Sequence, residues 1–274
     1  MSLPRLQLFE FNDAAWAPDA LKELIVESLS RTLRWGRMLR GIVPPLQELL
    51  DATGAREILE LAAGAGGPAQ VLIEELLAAG VTPPRFLLTD LQPHPGAWAA
   101  LKALHPREID FVAAPVDATR IPPALARGRV QLIINALHHF PPALARDVLL
   151  AATRDAPGVF VAEGLLRDPR SLMSMAVTGI PAVFATSLLA DRHRLAKAAL
   201  GVLSPAALAV SMWDGAVSTL RQYTEKELRA LVRDGPPGWR WDYGVFEFPF
   251  GGRGSWFRGT GPQRNVGADA LRGA

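Results

Sequence analysis

The chain has 274 residues, of which 49% are hydrophobic and 20% are charged, a composition typical of a globular protein with one elaborated domain or a domain plus a cap. Its formal charge of +2 creates no large field for a polyanion, so we expect no nucleic-acid partner. The absence of cysteine excludes disulfides, thiolate metal sites and cysteine nucleophiles, and we expect no metal. Polar and acidic residues stand where a signal peptide would have its apolar segment, and we expect a cytoplasmic protein.

Residues 1–55 are predicted to be helical and to form a lid. An amphipathic pattern begins at Pro18 and runs to Leu33, and a second helix is predicted from Pro44 to Thr53. Between them, four arginines recur at three-residue steps along one face, at Arg31, Arg34, Arg37 and Arg40. They form either a solvated stripe or a docking surface for an acidic substrate or partner.

A short apolar run at 58–60 leads into a loop of small residues at 62–67, and a helical pattern starts at Val71. This is the order strand, glycine-rich turn, helix. Such a turn lets the backbone approach a ligand closely and directs helix N-terminal amides at it. Turns of this kind serve several nucleotide cofactors and some serve none, so the motif alone names no ligand.

Four more apolar runs follow, and a polar residue stands at the end of each: Asp90, Asp117, Asn135 and Glu163. The alternation of strands and helices over 56–163 predicts a parallel sheet with right-handed crossovers. The carboxyl ends of such strands share one edge, where open α/β sheets bind ligands. The sequence therefore predicts a ligand-binding α/β core over 56–163.

Residues 164–223 interrupt the alternation and are predicted to be a helical cap, because they are apolar and rich in Ala and Leu. Residues 171–190 carry no charge and are long enough to span a bilayer. Their Ser, Thr, Gly and Pro content favours a buried cap helix, with membrane contact through 171–190 as the alternative.

Residues 224–259 are predicted to complete the core. Thr224 followed by Glu227 forms a capping box that opens a helix to Val232. A strand from Trp239, a glycine-rich turn at 251–254 and a last strand then predict a terminal hairpin. Residues 260–274 are predicted to be a flexible tail.

The ordered set of strands, turn and polar ends from 57 to 163 resembles the class I S-adenosylmethionine-dependent methyltransferases. The resemblance implies a Rossmann-like α/β fold with a seven-stranded, mostly parallel sheet whose last strand is antiparallel. It also implies S-adenosyl-L-methionine as cofactor and S-adenosyl-L-homocysteine as product. The stretch 213–224, WDGAVSTLRQYT, together with Phe9, Glu10, Phe11 and Trp16, resembles an uncharacterised bacterial group of small-molecule methyltransferases.

Several cofactor contacts follow from the resemblance. Asp90 would accept from the ribose hydroxyls beside Leu91, and Glu60 would order the ammonium end of the cofactor. In the glycine-rich turn, Ala62 takes the place of the first glycine, and Gly64 and Gly66 hold the other two. Asp117 and Ala118 would bind adenine. Asn135 would offer its carbonyl to the ammonium, with Ala136 beside it. The alternatives are structural: a loop cap at Asp90, a helix N-terminal acid at Glu60 and an Asx-turn at Asp117.

Candidates for a general base are His139 first, then His138 and Glu163; the histidines can equally pack or hydrogen-bond the loop. Acceptor-contact candidates are Trp16, Met175, Phe184, Trp213, Arg221 and Tyr223, with core packing or buried pairing as the alternative. The resemblance implies methyl transfer to an O or N atom of a small, partly apolar molecule of secondary metabolism, with the oligomeric state open. The alternative function is a non-catalytic cofactor-binding subunit whose apolar cap binds a protein or lipid surface.

Overall fold

A computed structural model describes residues 3–14, 16–189, 194–202 and 204–262, so most of the expected tail at 260–274 lies outside the described residues. The strands are β1 Glu57–Glu60, β2 Arg85–Leu88, β3 Ile109–Phe111, β4 Arg129–Ile134, β5 Gly158–Glu163, β6 Arg240–Phe248 and β7 Gly252–Thr260. The helices are α1 Asp19–Trp35, α2 Val43–Thr53, α3 Gly67–Ala78, α4 Pro95–Leu104, α5 Pro123–Ala126, α6 Pro142–Ala152, α7 Pro169–Leu189, α8 Arg194–Gly201, α9 Ala206–Arg221 and α10 Glu225–Leu231.

The strands form one seven-stranded sheet in the order β3-β2-β1-β4-β5-β7-β6. Strands β1 to β5 pair in parallel, and β7 pairs antiparallel with both β5 and β6. The predicted fold class, a Rossmann-like mostly parallel sheet whose last strand is antiparallel, is therefore confirmed. The order reverses between β1 and β4, and this switch point is where sheets of this type bind ligands.

Alternate strand residues face opposite sides of the sheet and build two apolar cores. Ile58, Leu132 and Phe160 belong to the core formed with α2, α3 and α4. Their neighbours Leu59 and Ile133, with Val161, belong to the core formed with α6 and α10. Because both faces are covered, the central strands are apolar throughout, as parallel strands usually are.

Two arginines of the stripe, Arg34 in α1 and Arg37 in the turn after it, contact the protein itself. Arg34 donates two hydrogen bonds to Glu74 of α3, at 2.8 and 3.0 Å. Arg37 pairs in the same way with the buried Glu75, at 3.0 and 2.6 Å. These bidentate pairs fix the N-terminal helix on the helix that follows the glycine-rich turn, so these arginines dock within the chain.

The cap helices α7, α8 and α9 pack against α1 instead of extending into solvent alone. Leu24 and Ile25 of α1 share an apolar cluster with Val183 of α7. Lys197 of α8 is fully buried, and its ammonium lies 2.6 Å from Glu27 and 3.2 Å from Glu23, both in α1. The N-terminal helix and the cap therefore form one layer.

The cap contains the segment 171–190, for which membrane contact is the alternative. Among the described helices no single one is long and apolar enough to cross a bilayer. One pair bent by 70°, Leu195–Gly201 with Ala206–Arg221, passes the same test by length and composition alone.

The predicted capping box of α10 is present. The Thr224 hydroxyl accepts from the Glu227 backbone N–H, and the Glu227 carboxylate accepts from the Thr224 backbone N–H. The helix ends at Leu231, one residue before the predicted end at Val232.

Candidate functional site

The glycine-rich turn between β1 and α3 lies at the switch point of the sheet. Ala62, Gly64 and Gly66 all have left-handed backbones, with φ of 53°, 52° and 84°. A Cβ added to Gly64 would meet no atom within 4 Å, whereas one on Gly66 would lie 2.5 Å from Leu101. Gly64 thus leaves open space for a ligand, and Gly66 permits close packing of α4 behind the turn.

Asp90, two residues after β2, holds this turn in place. One carboxylate oxygen accepts from the Gly64 N–H at 2.8 Å, and the other accepts from the Gln92 N–H at 2.8 Å. Trp98 of α4 adds a hydrogen bond from its indole N–H to the Gly64 carbonyl at 2.8 Å. Each Asp90 oxygen keeps a lone pair for a further donor, so the loop-capping role and ligand binding are compatible. Leu91, its neighbour, is exposed.

Glu60 ends β1 with a carboxyl group that is almost completely buried. Its Oε2 has no hydrogen-bond partner among the described residues. Burial, reinforced by the nearby Asp90 carboxylate, raises the pKa of Glu60 to about 8. An unpartnered buried carboxyl group is costly, which makes this position one that a positively charged ligand group would stabilise.

Asn135 follows β4 with a left-handed backbone of φ 51°, which is uncommon for a residue other than glycine. Its backbone N–H donates to Ala162 at 2.8 Å, and its side-chain oxygen accepts from the Gly164 N–H at 2.6 Å. None of the described hydrogen bonds uses the Asn135 carbonyl oxygen, the atom expected to meet the cofactor ammonium. Ala136 beside it is buried.

Asp117 forms the Asx-turn that was the structural alternative. Its Oδ1 accepts from the Thr119 backbone N–H at 2.8 Å and from the Thr119 hydroxyl at 2.7 Å. These hydrogen bonds lower the pKa of the exposed Asp117 carboxyl group. Ala118 packs against the core on the α6 side of the sheet.

His138 and Glu163 form a buried pair that joins the ends of β4 and β5. The His138 Nδ1 lies 2.8 Å from Glu163 Oε2, and the His138 backbone N–H donates to the other Glu163 oxygen. Gln222 donates a further hydrogen bond to Glu163 at 3.2 Å. Burial alone would raise the Glu163 pKa, but the His138 and Gln222 contacts outweigh it and lower the pKa. Glu163 is thus an ionised residue that orients His138.

Residues 3–14, which we call the N-terminal strap, have no regular secondary structure except for a short 3-10 turn at Phe11–Asp13. The strap is fixed to α9 by the carboxylate of Asp214, which accepts from the Phe11 and Asn12 N–H groups at 2.7 and 3.0 Å. Arg5 stacks 4.2 Å over the Tyr223 ring and donates to the Phe140 carbonyl at 3.1 Å. The first segment of the chain is therefore a strap held by its own polar contacts, not only a set of helices.

The strap brings two acids to His139. The His139 Nδ1 lies 3.3 Å from Asp13 Oδ2 and 3.7 Å from Glu10 Oε2. Arg221 Nη1 lies 3.0 Å from each of these carboxylates and 3.2 Å from the same imidazole nitrogen. Burial alone would raise the Asp13 pKa, but the contacts with His139 and Arg221 lower it to about 2. Asp13 is therefore ionised beside His139.

A cavity of about 500 Å³ opens beside this cluster, lined by Phe9, Glu10, Asp13, Ala14, Trp16 and Arg221. Phe9, Phe11, Trp16 and Trp213 form a chain of aromatic contacts with ring centroids 5.0–5.6 Å apart. The sequence-predicted residues Trp16 and Arg221 thus line one cavity, and Trp213 supports its wall through an indole hydrogen bond to the Phe9 carbonyl at 3.0 Å.

Other predicted acceptor contacts lie elsewhere. Tyr223 is buried, and its hydroxyl donates to the Phe140 carbonyl at 2.6 Å; burial raises its pKa to about 12. Phe184 is exposed on α7 and is not among the residues that line the cavity. Met175 lies in the same helix, but its side chain is outside the described residues.

Glu10, His138 and His139 also place potential metal-ligating atoms within 4.8 Å of one another. Arg221 Nη1, however, is 3.2 Å from the His139 nitrogen and 3.0 Å from a Glu10 oxygen. A metal ion bound to these atoms would lie against the guanidinium, so we assign no metal to this cluster.

Sequence reasoning did not identify Glu10 and Asp13 as site residues. In the sequence Glu10 is part of the Phe9, Glu10 and Phe11 resemblance, and nothing local to either acid indicates a contact with His139, which is 126 residues from Asp13. Two features of the sequence could have indicated them. Both acids lie in an otherwise aromatic segment, and the apolar stretch 213–224 contains polar residues.

No protein-family model matches the chain, and no curated protein matches its sequence. Solved structures do match. A putative O-methyltransferase from Nostoc punctiforme PCC 73102 aligns over 94% of this chain and 64% of its own, with a TM-score of 0.51 and 12% identity. An O-methyltransferase from neocarzinostatin biosynthesis, in complex with S-adenosylmethionine and 2-hydroxy-5-methyl naphthoic acid, aligns over 89% of this chain and 58% of its own, with a TM-score of 0.50 and 14% identity.

This chain therefore spans less than two thirds of the length of either protein. At these identities the similarity establishes the fold. The chain has the seven-stranded Rossmann-like fold of the methyltransferases, with a helical cap added after β5.

Proposed function

We propose that the protein is an S-adenosylmethionine-dependent methyltransferase that acts on an O or N atom of a small, partly apolar molecule, within natural-product metabolism. The observation that supports this most directly is the unpartnered, buried Glu60 carboxyl group next to the open Gly64 turn. S-adenosylmethionine carries an ammonium group for Glu60, a ribose diol for Asp90 and an adenosine that needs close backbone approach. The residues present fit each of these parts.

We propose the remaining cofactor contacts from the positions of the residues along the edge of the sheet. The Asn135 carbonyl would accept from the ammonium with Ala136 lining the site. Leu91 lies in the loop that follows β2, and Asp117 and Ala118 lie in the loop that follows β3. A cytoplasmic location and a small-molecule acceptor belong to the same proposal. When bound, the cofactor supplies an activated methyl group on a sulfonium.

In this proposal His139 is the general base. Arg221 Nη1 donates a hydrogen bond to Asp13 Oδ2 at 3.0 Å and forms an ion pair with Glu10 Oε1 at 3.0 Å. The proposal takes the tautomer in which His139 Nδ1 donates to Asp13 Oδ2, 3.3 Å away, so that Nε2 keeps a lone pair. His138 is the second candidate, and Glu163 acts by orienting it. The cavity beside His139 would hold the acceptor, and the strap would exclude water.

The proposal is tested by calorimetry of S-adenosylhomocysteine binding. Asp90→Ala removes a charged acceptor from the cofactor and from the Gly64 turn, and we expect binding to weaken by about 1.5–3 kcal/mol. Asp147→Ala, an exposed aspartate on α6, is the control and should bind normally. Unchanged affinity in Asp90→Ala would remove the cofactor assignment.

A second function, a non-catalytic cofactor-binding subunit, is favoured by the outer face of α7. Met173, Val177, Phe184 and Leu188 recur at helical spacing there and are all exposed. Such a face suits a protein or lipid surface. Transfer of a labelled methyl group to any small molecule of a cell extract supports the enzyme; cofactor binding without transfer supports the subunit.

A further inference from the structure

The cavity beside His139 has more negative than positive charge on its walls. Glu10 and Asp13 line it together with Arg221, so two carboxylates and one guanidinium leave one negative charge. Arg221 takes only one oxygen of each acid, Glu10 Oε1 and Asp13 Oδ2. No described residue forms a hydrogen bond with Glu10 Oε2 or Asp13 Oδ1, although His139 Nδ1 lies 3.7 Å from Glu10 Oε2. Both oxygens can therefore accept a hydrogen bond from a ligand at this partly desolvated position.

Arg221 is not available to balance an anionic ligand. Its Nε and Nη2 both donate to the Leu8 carbonyl, the former at 2.9 Å, and Nη1 contacts Glu10 and Asp13. All three guanidinium nitrogens therefore hold the strap. A carboxylate, phosphate or phenolate entering the cavity would face the two acids without a free cation, and it would be repelled.

The remaining walls are aromatic and accessible. Trp16 is 70% exposed and Phe9 53% exposed, both at the cavity. Exposed aromatic rings next to carboxylates are the surroundings that organic cations prefer, since the ring faces attract the charge and the acids accept its hydrogen bonds.

We propose that the methyl acceptor is a primary or secondary amine on an aromatic body, recognised as its ammonium ion by Glu10 and Asp13 and methylated on nitrogen. The inference rests on the proposed function and narrows it from an O or N atom to nitrogen. A neutral hydroxyl would leave part of the acceptor capacity of the two acids unused, whereas an ammonium has three N–H donors for them.

The proposed methyl transfer from S-adenosylmethionine balances in atoms and in charge. The ammonium gives one proton to Nε2 of His139, which generates a neutral amine. The amine lone pair forms a bond to the methyl carbon as the carbon–sulfur bond breaks, and its electron pair returns to sulfur. The products are a methylated ammonium, a neutral thioether and a protonated His139 that releases its proton to solvent.

The test compares matched ligands on protein saturated with S-adenosylhomocysteine. One series is 2-phenylethylamine, 2-phenylethanol and phenylacetate; a larger one is tryptamine, tryptophol and indole-3-acetate. We expect each amine to bind at least tenfold more tightly than its alcohol, and the acids not to bind. Calorimetry measures the affinities, and mass spectrometry with S-adenosylmethionine locates the added methyl group.

Glu10→Gln separates recognition from folding, because the amide oxygen can still accept from Arg221 and Ser218. It should weaken amine binding at least tenfold and leave alcohol binding unchanged. Equal binding of amine and alcohol, tighter binding of an acid, or no amine binding in either series overturns the inference. Failure of S-adenosylhomocysteine to bind would instead overturn the proposed function, so the two failures are distinguishable.

Discussion

At the scale of single residues, Glu60 has the environment with the clearest consequence. Its carboxyl group is buried, its Oε2 has no described partner, and its pKa is raised to about 8 by burial and by Asp90. At neutral pH the group is therefore mostly protonated in the free protein. A cofactor ammonium beside it would favour the ionised form and release the proton.

We predict that S-adenosylhomocysteine binding at pH 7 releases close to one proton. The measurement is calorimetry in two buffers of different ionisation enthalpy, phosphate and Tris, since the difference in heat gives the number of protons released. Glu60→Gln, which cannot ionise, should bind with almost no release. Equal proton release by the two proteins would show that Glu60 does not meet the ammonium.

Removal of the His139 side chain and removal of the His138 side chain should have different effects on turnover and stability. His139 has a proposed free Nε2 beside the cavity, so His139→Ala should lower turnover about 10²–10⁴-fold and leave cofactor affinity nearly unchanged. His138→Ala leaves the buried Glu163 carboxylate without its main partner and should lower stability as well. His94→Ala, at the exposed N-terminus of α4, is the control. If both variants keep most of their turnover at saturating acceptor, catalysis depends on positioning alone.

At the scale of elements, one carboxylate of α9 makes two of the contacts that hold the strap. Asp214 accepts hydrogen bonds from the backbone N–H groups of Phe11 and Asn12, which lie 203 and 202 positions earlier in the chain. Burial raises the Asp214 pKa, while the two N–H groups counteract that effect. The strap, and with it Glu10 and Asp13, is held at the cavity by this contact and Arg221, together with the contacts of Arg5 and the Trp213 indole.

We predict that Asp214→Ala opens the strap without affecting the cofactor. Losing hydrogen bonds to a charged acceptor costs about 1.5–3 kcal/mol, which favours the open strap by roughly tenfold or more. Limited proteolysis should then cleave within 3–14 faster, and the KM for the acceptor should rise while S-adenosylhomocysteine affinity stays constant. The cleavage rate of Asp214→Asn, which retains one acceptor oxygen, should lie between those of the wild type and Asp214→Ala. Unchanged cleavage of Asp214→Ala would mean that other contacts hold the strap.

The elements that sequence could predict are those set by neighbouring residues. The Thr224–Glu227 capping box and the terminal hairpin depend on short spacings, and both are present. The hairpin turn lies at Pro249–Gly251 instead of 251–254, because Gly252 already pairs with β6. The strap was not predicted as such, because its hydrogen-bond partners are far away in sequence and its own residues have no helical or strand period. Its polar contacts become visible only once α9 is placed beside it.

At the scale of the whole molecule, the sheet and the edge at which β1 to β5 end follow from local patterns that all point to one topology. Five apolar runs and the polar residues after them predicted which residues share the edge, including Glu60, Asp90 and Asn135. The orientation of side chains at that edge could not be predicted. That Arg221 holds the strap and Glu163 orients His138 depends on packing between the cap, the strap and the core.

The last prediction concerns the stability of the whole protein as a function of pH. Glu60 ionises near 4.5 when unfolded and near 8 when folded, so between these values the folded state holds a proton that the unfolded state has lost. The stabilisation is complete below about pH 4.5 and is lost as pH rises toward 8, by at most about 1.4 kcal/mol per pH unit. Burial also raises the pKa of Glu10 and of Asp214, which act in the same direction.

Urea unfolding of the free protein and of Glu60→Gln at pH 5, 6, 7 and 8 isolates the Glu60 contribution, because every other group is common to both. We expect the free energy of unfolding of the wild type to fall relative to the variant across this range. Saturating S-adenosylhomocysteine should remove most of that slope, since the ammonium stabilises the ionised carboxylate that burial alone disfavours. A difference between the two proteins that stays constant from pH 5 to 8 would mean that Glu60 is solvated or paired in the folded state, and its proposed role at the cofactor ammonium would lose its physical basis.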